Sequence, residues 1–377
     1  MTAAAQKVLV IGGGFSGMSA AIMMARAGIE VDLVEIDEGW RSYGAGISLH
    51  GATLRVFQEL GILEEFKAEG AATSGLIVRM PHNDQVIVEI PTPSMPGIDL
   101  PGNAAIMRPA LAAILARATR AAGVNVRLGV TFETLTQDED GVELTFTDGT
   151  SGRYDAVIGA DGLFSKTRAL LLPEAPEPAY VGQAVWRAEL PTPEGLETLS
   201  MWLGKGVKVG INPVSPGRSY MFITEDCPED IWVEDADLLP RMKALLDPFP
   251  SPMLSAVKEG LSEDSKLIYR PLKGMLLPQP WHVGRVLLIG DAVHATTPHL
   301  GAGACIGMED GLVIAEELQR HATVAEAFAA HEARRWERCA MVVNNSGRLS
   351  EIEITGGDQG EHNEIMGRSM RALAEPI

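Results

Sequence analysis

Lys7-Val8-Leu9-Val10-Ile11-Gly12-Gly13-Gly14-Phe15-Ser16-Gly17 decides the fold. Val8 to Ile11 is a short apolar run of strand type, glycines follow, and Phe15 to Ala27 has helical character. Glu30 to Glu35 reads as the next strand. A strand, a Gly-rich turn, a helix and a second strand make a βαβ unit, which requires a parallel sheet with helices on its faces. Glu35 lies 18 residues past Gly17, at the end of the second strand. In this setting Gly12, Gly14 and Gly17 permit a tight turn, close approach of the backbone to a pyrophosphate, and close packing of helix on sheet. The helix N-terminus favours the negative phosphates, and Glu35 would accept hydrogen bonds from the adenosine ribose hydroxyls.

Working outward, Ala45 to Leu49 and a helix from Thr53 to Leu60 continue this unit. Leu76 to Met80 and Gln85 to Ile90 form a hairpin pattern around Pro81-His82-Asn83, and Arg108 to Ala122 is an amphipathic helix ended by Gly123. From Tyr180 to Tyr269 strands separated by Gly and Pro, with helices near Asp235 to Leu246 and Ser251 to Val257, suit an antiparallel sheet. Arg285 to Ile289 is a buried strand, Cys305 to Arg320 a helix, and a further long helix ends near Asn344. The expected class is α/β: a discontinuous Rossmann-like domain (1–75, 103–179 and 280–345) with an inserted α+β domain (76–102 and 180–279) and C-terminal helices. The polar tail 346–377 reads equally as helix or loop, packed on the body or on a second subunit.

At 377 residues the chain exceeds what one hydrophobic core usually organises. Apolar residues at 46% and charged residues at 21% are near the globular average, so a folded, soluble chain is expected. A net charge of -19 without a Lys/Arg cluster counts against a nucleic-acid partner, which needs a basic stripe. An anionic substrate would then need a local Arg, Lys or His. Cys227, Cys305 and Cys339 are widely spaced, so neither a disulfide framework nor a zinc site is expected, and no metal-ligand spacing is visible. With no signal-peptide pattern and no run long enough to span a bilayer, the expectation is a cytoplasmic monomer or homodimer without membrane contact.

Two later motifs complete the pattern: Asp161-Gly162-x-x-Ser165-x-x-Arg168, within Gly159 to Arg168, and Gly290-Asp291-Ala292. In this order, after the N-terminal fingerprint, they resemble the single-component (class A) FAD-dependent aromatic hydroxylases, the family of para-hydroxybenzoate and salicylate hydroxylases. The resemblance spans roughly residues 7 to 340. It implies that FAD occupies the single fingerprint, and that NADH or NADPH binds transiently without a nucleotide domain of its own. It further implies that Asp291 holds the ribityl or pyrophosphate region and that Arg108, and more weakly Arg41, reach the FAD. Asp161 and Arg168 would serve FAD and NAD(P)H, or else cap a helix and brace a turn. The run Pro298-His299-Leu300-Gly301-Ala302-Gly303-Ala304-Cys305 would present backbone N–H groups to the flavin N1 and O2 edge; many relatives have Asn where Cys305 stands.

The resemblance implies a cycle in which NAD(P)H reduces FAD, O2 adds to give a flavin C4a-hydroperoxide, and one oxygen passes to a small phenolic or N-heteroaromatic ring. The protein must supply a dry pocket and a group that deprotonates or polarises the substrate hydroxyl. Candidates are His299 on the flavin loop, His50 after the strand Ile47 to Leu49, and Tyr220 on the substrate sheet; His294 looks structural. Met201, Trp202, Met221 and Phe222 are candidate apolar walls, core packing being the expected job of at least half. Other readings keep the cofactor but take a non-aromatic, polyketide or antibiotic substrate, act as a reductase or dehydrogenase without oxygen insertion, or only bind flavin as a sensor.

Overall fold

Val8, Leu9 and Val10 are fully buried, as a parallel strand covered on both faces requires. In the computed structural model, which describes residues 3–42 and 44–377, the strand Lys7–Ile11 pairs in parallel with Glu30–Glu35 and with Ala156–Gly159. Asn125–Leu128 and Val286–Leu288 extend the sheet in parallel, and His282–Val283 closes one edge antiparallel. Val8, Val10 and Leu33 face the helices Phe15–Arg26, Arg108–Ala121 and Gly303–Arg320. Leu9, Ile11 and Val34 face a three-stranded antiparallel sheet, Phe132–Gln137, Val142–Phe146 and Ser151–Tyr154. At Gly311 a Cβ would stand 2.4 Å from the Ala20 nitrogen, so only glycine lets the first and last of those helices cross this closely.

The second large sheet has seven strands, ordered Ile268–Gly274, Ala179–Pro191, Arg218–Asp226, Val207–Ser215, Leu199–Leu203, Gly75–Arg79 and Val86–Pro91. Its pairings are antiparallel except that Leu199–Leu203 runs parallel to Gly75–Arg79. One face buries Trp186, Trp202, Met221 and Tyr269 under the helices Asp235–Leu245 and Pro252–Gly260. The other face meets a small sheet of Gly46–His50, Asn103–Met107 and Ala71–Thr73, through Ala45, Ala105, Met107 and Tyr220.

The helix expected to end near Asn344 runs on to Thr355, and Gln359–Ala374 folds back as another helix. Thr323 and Glu326 form a capping box at the start, and Gly356 at φ 63° ends the long helix in the left-handed region. No helix among the described residues is long and apolar enough to cross a membrane.

Candidate active site

The three fingerprint glycines are required for different reasons. Gly12 has φ 104°, and a Cβ there would lie 2.4 Å from the Ala160 carbonyl oxygen. At Gly17 a Cβ would lie 2.0 Å from the Gly12 oxygen, so the helix seats directly on the turn. Gly14 is the opposite case: no protein atom stands within 4 Å of a Cβ built there, and the helix it precedes has no side-chain cap. That open, N–H-rich corner fits a pyrophosphate. Gly13, which the fingerprint leaves unspecified, is also constrained, because the Trp40 indole donates to its carbonyl at 2.8 Å. A Cβ on Gly13 would meet that indole nitrogen at 2.4 Å. Glu35 accepts from the backbone N–H of Gly13 (2.6 Å) and of Asp37 (2.8 Å), which orients its carboxylate while leaving lone pairs for further donors.

This contrast between glycines gives a paired test. Gly17→Ala forces a backbone clash, so flavin-free protein is expected to lose about 1–3 kcal/mol of stability and its FAD retention with it. Gly14→Ala is expected to leave flavin-free stability within about 0.5 kcal/mol while weakening FAD binding about tenfold or more. Urea unfolding and FAD titration check the pair; equal stability losses would remove Gly14 from the cofactor cradle.

Arg108 lies over the Phe15 ring, 4.9 Å from its centroid, and its guanidinium hydrogen-bonds no described residue. Burial lowers its pKa and the charge of Asp291 opposes that shift, so the two groups share one neighbourhood. Asp291 is exposed at the first position of a short helix, its carboxylate also without a hydrogen bond to a described residue. Both groups are therefore available to a ligand. Arg41 pairs with Asp37 at 3.1 Å on the surface.

Asp161 and Arg168 are engaged by protein. Asp161 accepts from the hydroxyls of Ser165 (2.5 Å) and Thr167 (2.9 Å) and from the Thr167 N–H. Arg168 donates to the carbonyls of Ala292 (2.9 Å) and Leu163 (2.8 Å), tying this motif to the Gly290-Asp291 turn. Behind the turn lies a network that the sequence motifs do not announce. Gly290 donates its N–H to Asp310 Oδ2 (2.9 Å), which also bonds His294 Nε2 (2.6 Å). Arg335, fully buried, holds Asp310 at 2.7 Å and Glu309 at 3.0 Å. Burial alone would raise the Asp310 pKa, yet the charges of His294 and Arg335 hold it well below the usual range. His294, Asp310 and Cys339 could group around a metal, but the Arg335 guanidinium already supplies the cation there.

Pro298–Leu300 is a single 3-10 turn, and Gly301 at φ 61° swings the chain into the helix Gly303–Arg320. That helix starts with no acidic residue in its first turn and no side-chain cap, so the N–H groups of Gly303, Ala304 and Cys305 are available to an electronegative partner. Cys305 itself is buried with its thiol 3.6 Å from Glu309, and burial pushes its pKa up.

The three candidate bases do not converge. His299 is buried beneath the loop, bonded to Thr297 Oγ1 (2.9 Å), with Nε2 3.5 Å from Glu353. Glu353 also binds Lys208 at 2.7 Å, so His299 joins the Pro298–Leu300 turn to the helix Val324–Thr355. Tyr220 packs its ring on Gly46, where a Cβ would clash at 2.2 Å, and its hydroxyl meets Ser48, which Asn212 also bonds at 2.9 Å. His50 ends the same strand and takes the N-cap position of the next helix, and the charges that act on it are those of Glu309, Arg338 and Arg55 rather than the Tyr220 cluster. His50 Nε2 is buried without a partner, and burial lowers the imidazole pKa to about 4. Trp202 and Met221 belong to the opposite core, whereas Met201 and Phe222 lie on the inner face.

An open glycine corner, the charges of Arg108 and Asp291 and a bare helix start are groups that could hold a phosphate-bearing cofactor. Residues 5–346 match the model of the FAD_binding_3 family, an FAD binding domain, and the chain belongs to this family of class A flavoprotein hydroxylases. It is 31% identical to the putative FAD-dependent monooxygenase YetM of Bacillus subtilis, over 98% of this chain and 99% of that one. It is 30% identical to the 6-hydroxynicotinate 3-monooxygenase of Bordetella bronchiseptica, over 89% of each. Klebsiella pneumoniae HpxO complexed with FAD and uric acid shares the fold, with TM-score 0.81 at 24% identity over 98% of this chain and 93% of that one.

Proposed function

We propose that this chain is an NAD(P)H-dependent flavoprotein monooxygenase that hydroxylates a small phenolic or N-heteroaromatic compound. The observation that carries this is the Tyr220–Ser48–Asn212 cluster beside an aromatic-bearing sheet face. Relatives named for 6-hydroxynicotinate and for urate support a planar heteroaromatic substrate.

FAD would be held at its pyrophosphate by the Gly12–Gly17 turn, at its ribose by Glu35, and farther along by Arg108 and Asp291. The loop Pro298, Gly301, Gly303 and Ala304 would meet its reacting end. When bound, the cofactor supplies the redox chemistry: two electrons from NAD(P)H and one O2 yield one hydroxylated product and one water. The residues of this chain do the rest. A His50 imidazole held neutral by burial can accept a hydrogen bond but is too weak a base to take a phenol proton. Burial raises the Tyr220 pKa, so the phenol stays protonated and braces Ser48. Phe222 and Met201 exclude water from the reacting ring. Lys208, Glu353 and His299 anchor the loop against the C-terminal helix. The division into a cofactor half and a seven-stranded substrate half is part of the same reading.

The test is turnover of FAD-loaded protein with NADH or NADPH and a panel of phenols, salicylates and hydroxypyridines under 18O-labelled O2. A product carrying one label is expected. Flavin reduction with no labelled product from any panel member would overturn the reading in favour of a dehydrogenase or a larger substrate.

A further inference from the structure

Strand register sets a single row of residues across five strands of the large sheet: Met201, Gly210, Phe222, Arg187 and Ile268. Registered neighbours point to the same face. Here that is the inner one, since Phe222 and Ile268 pack with Ala45, Met107 and Tyr220, while Trp186 and Tyr269 beside them enter the opposite core. Gly210 leaves room for Phe222 to lie flat, because a Cβ at Gly210 would meet the ring at 2.1 Å. Arg187 is thus the one charge in an otherwise apolar row.

The charges that act on it are cationic. Arg108 and Arg270 both act on Arg187 electrostatically, and with burial they lower its pKa; Tyr220 is the one group that opposes them. The Arg187 guanidinium hydrogen-bonds no described residue. Glu189, two residues along on the same face, is taken by Arg218 at 2.9 Å and Lys266 at 2.7 Å. Arg270 donates to the Tyr269 carbonyl and lies 5.7 Å from the Trp232 ring. At Ile268 and Arg270 this face opens on a cavity of about 360 Å³ that Gly44, Pro109, Trp232, Asp235 and Lys266 also line. Arg108 has Asp291 beside it and Arg270 is exposed, which leaves Arg187 as the guanidinium that an anion would complete.

We propose that Arg187 is a specificity-determining residue that binds the carboxylate of an aromatic acid whose ring lies against Phe222. This rests on the hydroxylase reading and narrows it to anionic substrates. Arg108 faces Asp291 and the cofactor corner, whereas Arg187 sits among apolar side chains that suit a planar ring better than a hydrated pyrophosphate. It also resolves how a chain of net charge -19 attracts an acid: the positive charge is local.

Ligand-induced changes in the flavin absorbance of FAD-loaded protein test this without turnover, with salicylate and its neutral isostere salicylamide as probes. Wild type is expected to bind salicylate about tenfold more tightly or better, because a charge-assisted bidentate pair is lost with the amide. Arg187→Gln is expected to abolish that preference while keeping its FAD; Arg187→Lys, the variant of choice if the first misfolds, retains part of it. Equal binding of the two probes by wild type, or an undiminished preference in Arg187→Gln, overturns the proposal. So does a variant whose NADH affinity falls while its salicylate preference stays, since the anion is then the dinucleotide. A salicylate preference in protein that incorporates no labelled oxygen removes the hydroxylase reading and leaves the anion site standing.

Discussion

Arg335→Leu is expected to destabilise the flavin-free protein by about 3–5 kcal/mol, the usual cost of removing one partner from a buried ion cluster. Arg335 is fully buried, with Nε 2.7 Å from Asp310, Nη2 3.0 Å from Glu309 and a further bond of 2.9 Å to the Ile306 carbonyl. Its removal leaves two adjacent carboxylates without their shared cation. Glu309 keeps Arg338 and Asp310 keeps His294, which bounds the loss but does not cancel it. The Coulomb attraction itself is not the source of the effect; the desolvated charges left behind are. Accordingly, the double substitution Arg335→Leu with Asp310→Leu is expected to lose less than the sum of the two single changes, by more than about 1 kcal/mol. Urea unfolding without FAD is the measurement, because bound cofactor would add stability by mass action. A loss below about 1 kcal/mol would show that water reaches the cluster. FAD retention should fall as well, since Asp310 holds the Gly290 N–H and thereby the turn that presents Asp291.

The cofactor half was legible because its signals are local. Gly12, Gly14, Gly17 and Glu35 lie within one βαβ unit, and their spacing alone selects the fold. The Asp310–Arg335 pair resists such reading: both residues sit on helices, 25 positions apart, and look like ordinary surface charges until the helices pack. The C-terminal helix failed to show past Asn344 for a different reason. Its inward face there mixes Leu349 and Ile352 with buried polar residues, Asn345 bonded to Ser369 at 2.8 Å and Ser350 to Gln183 at 2.7 Å, so the hydrophobic periodicity weakens while the helix continues. His299 looked like a flavin-loop base, but its partner Glu353 lies in that unread segment. Arg187 carried a readable signal, a lone cation within the strand run Val185-Trp186-Arg187-Ala188; what sequence could not supply was the register that places Phe222 beside it.

Acid is expected to unfold this protein through histidines before carboxylates. His331 is fully buried beside Trp281, neither ring nitrogen has a partner, and burial lowers its pKa to about 4; His50 is lowered to about 4 by the same cause. In the unfolded chain both titrate near 6.5. As pH falls from about 6.5 to about 4, the unfolded chain binds protons that the native state refuses, so stability declines across that window. The slope approaches about 1.4 kcal/mol per pH unit for each histidine, on the order of 3 kcal/mol apiece over the whole range. His294 adds no slope there. Its folded pKa is raised, so its contribution is complete below about 6.5 and is lost only as pH rises through the folded value. Asp310 and Glu353, both depressed, act at lower pH: their contribution starts to be lost where unfolded carboxylates begin to protonate, near about pH 5, and falls further below it. Burial lowers the His299 pKa as well, so urea midpoints measured from about pH 7 to about pH 4.5 should fall steeply in wild type and less steeply, though still clearly, in His331→Leu. Comparing slopes makes the test independent of whatever the substitution costs at pH 7; parallel curves would mean that His331 is hydrated or partnered. The same physics bears on the chemistry. A His50 that stays neutral throughout this range contributes no inflection near 6.5 to the pH–rate profile.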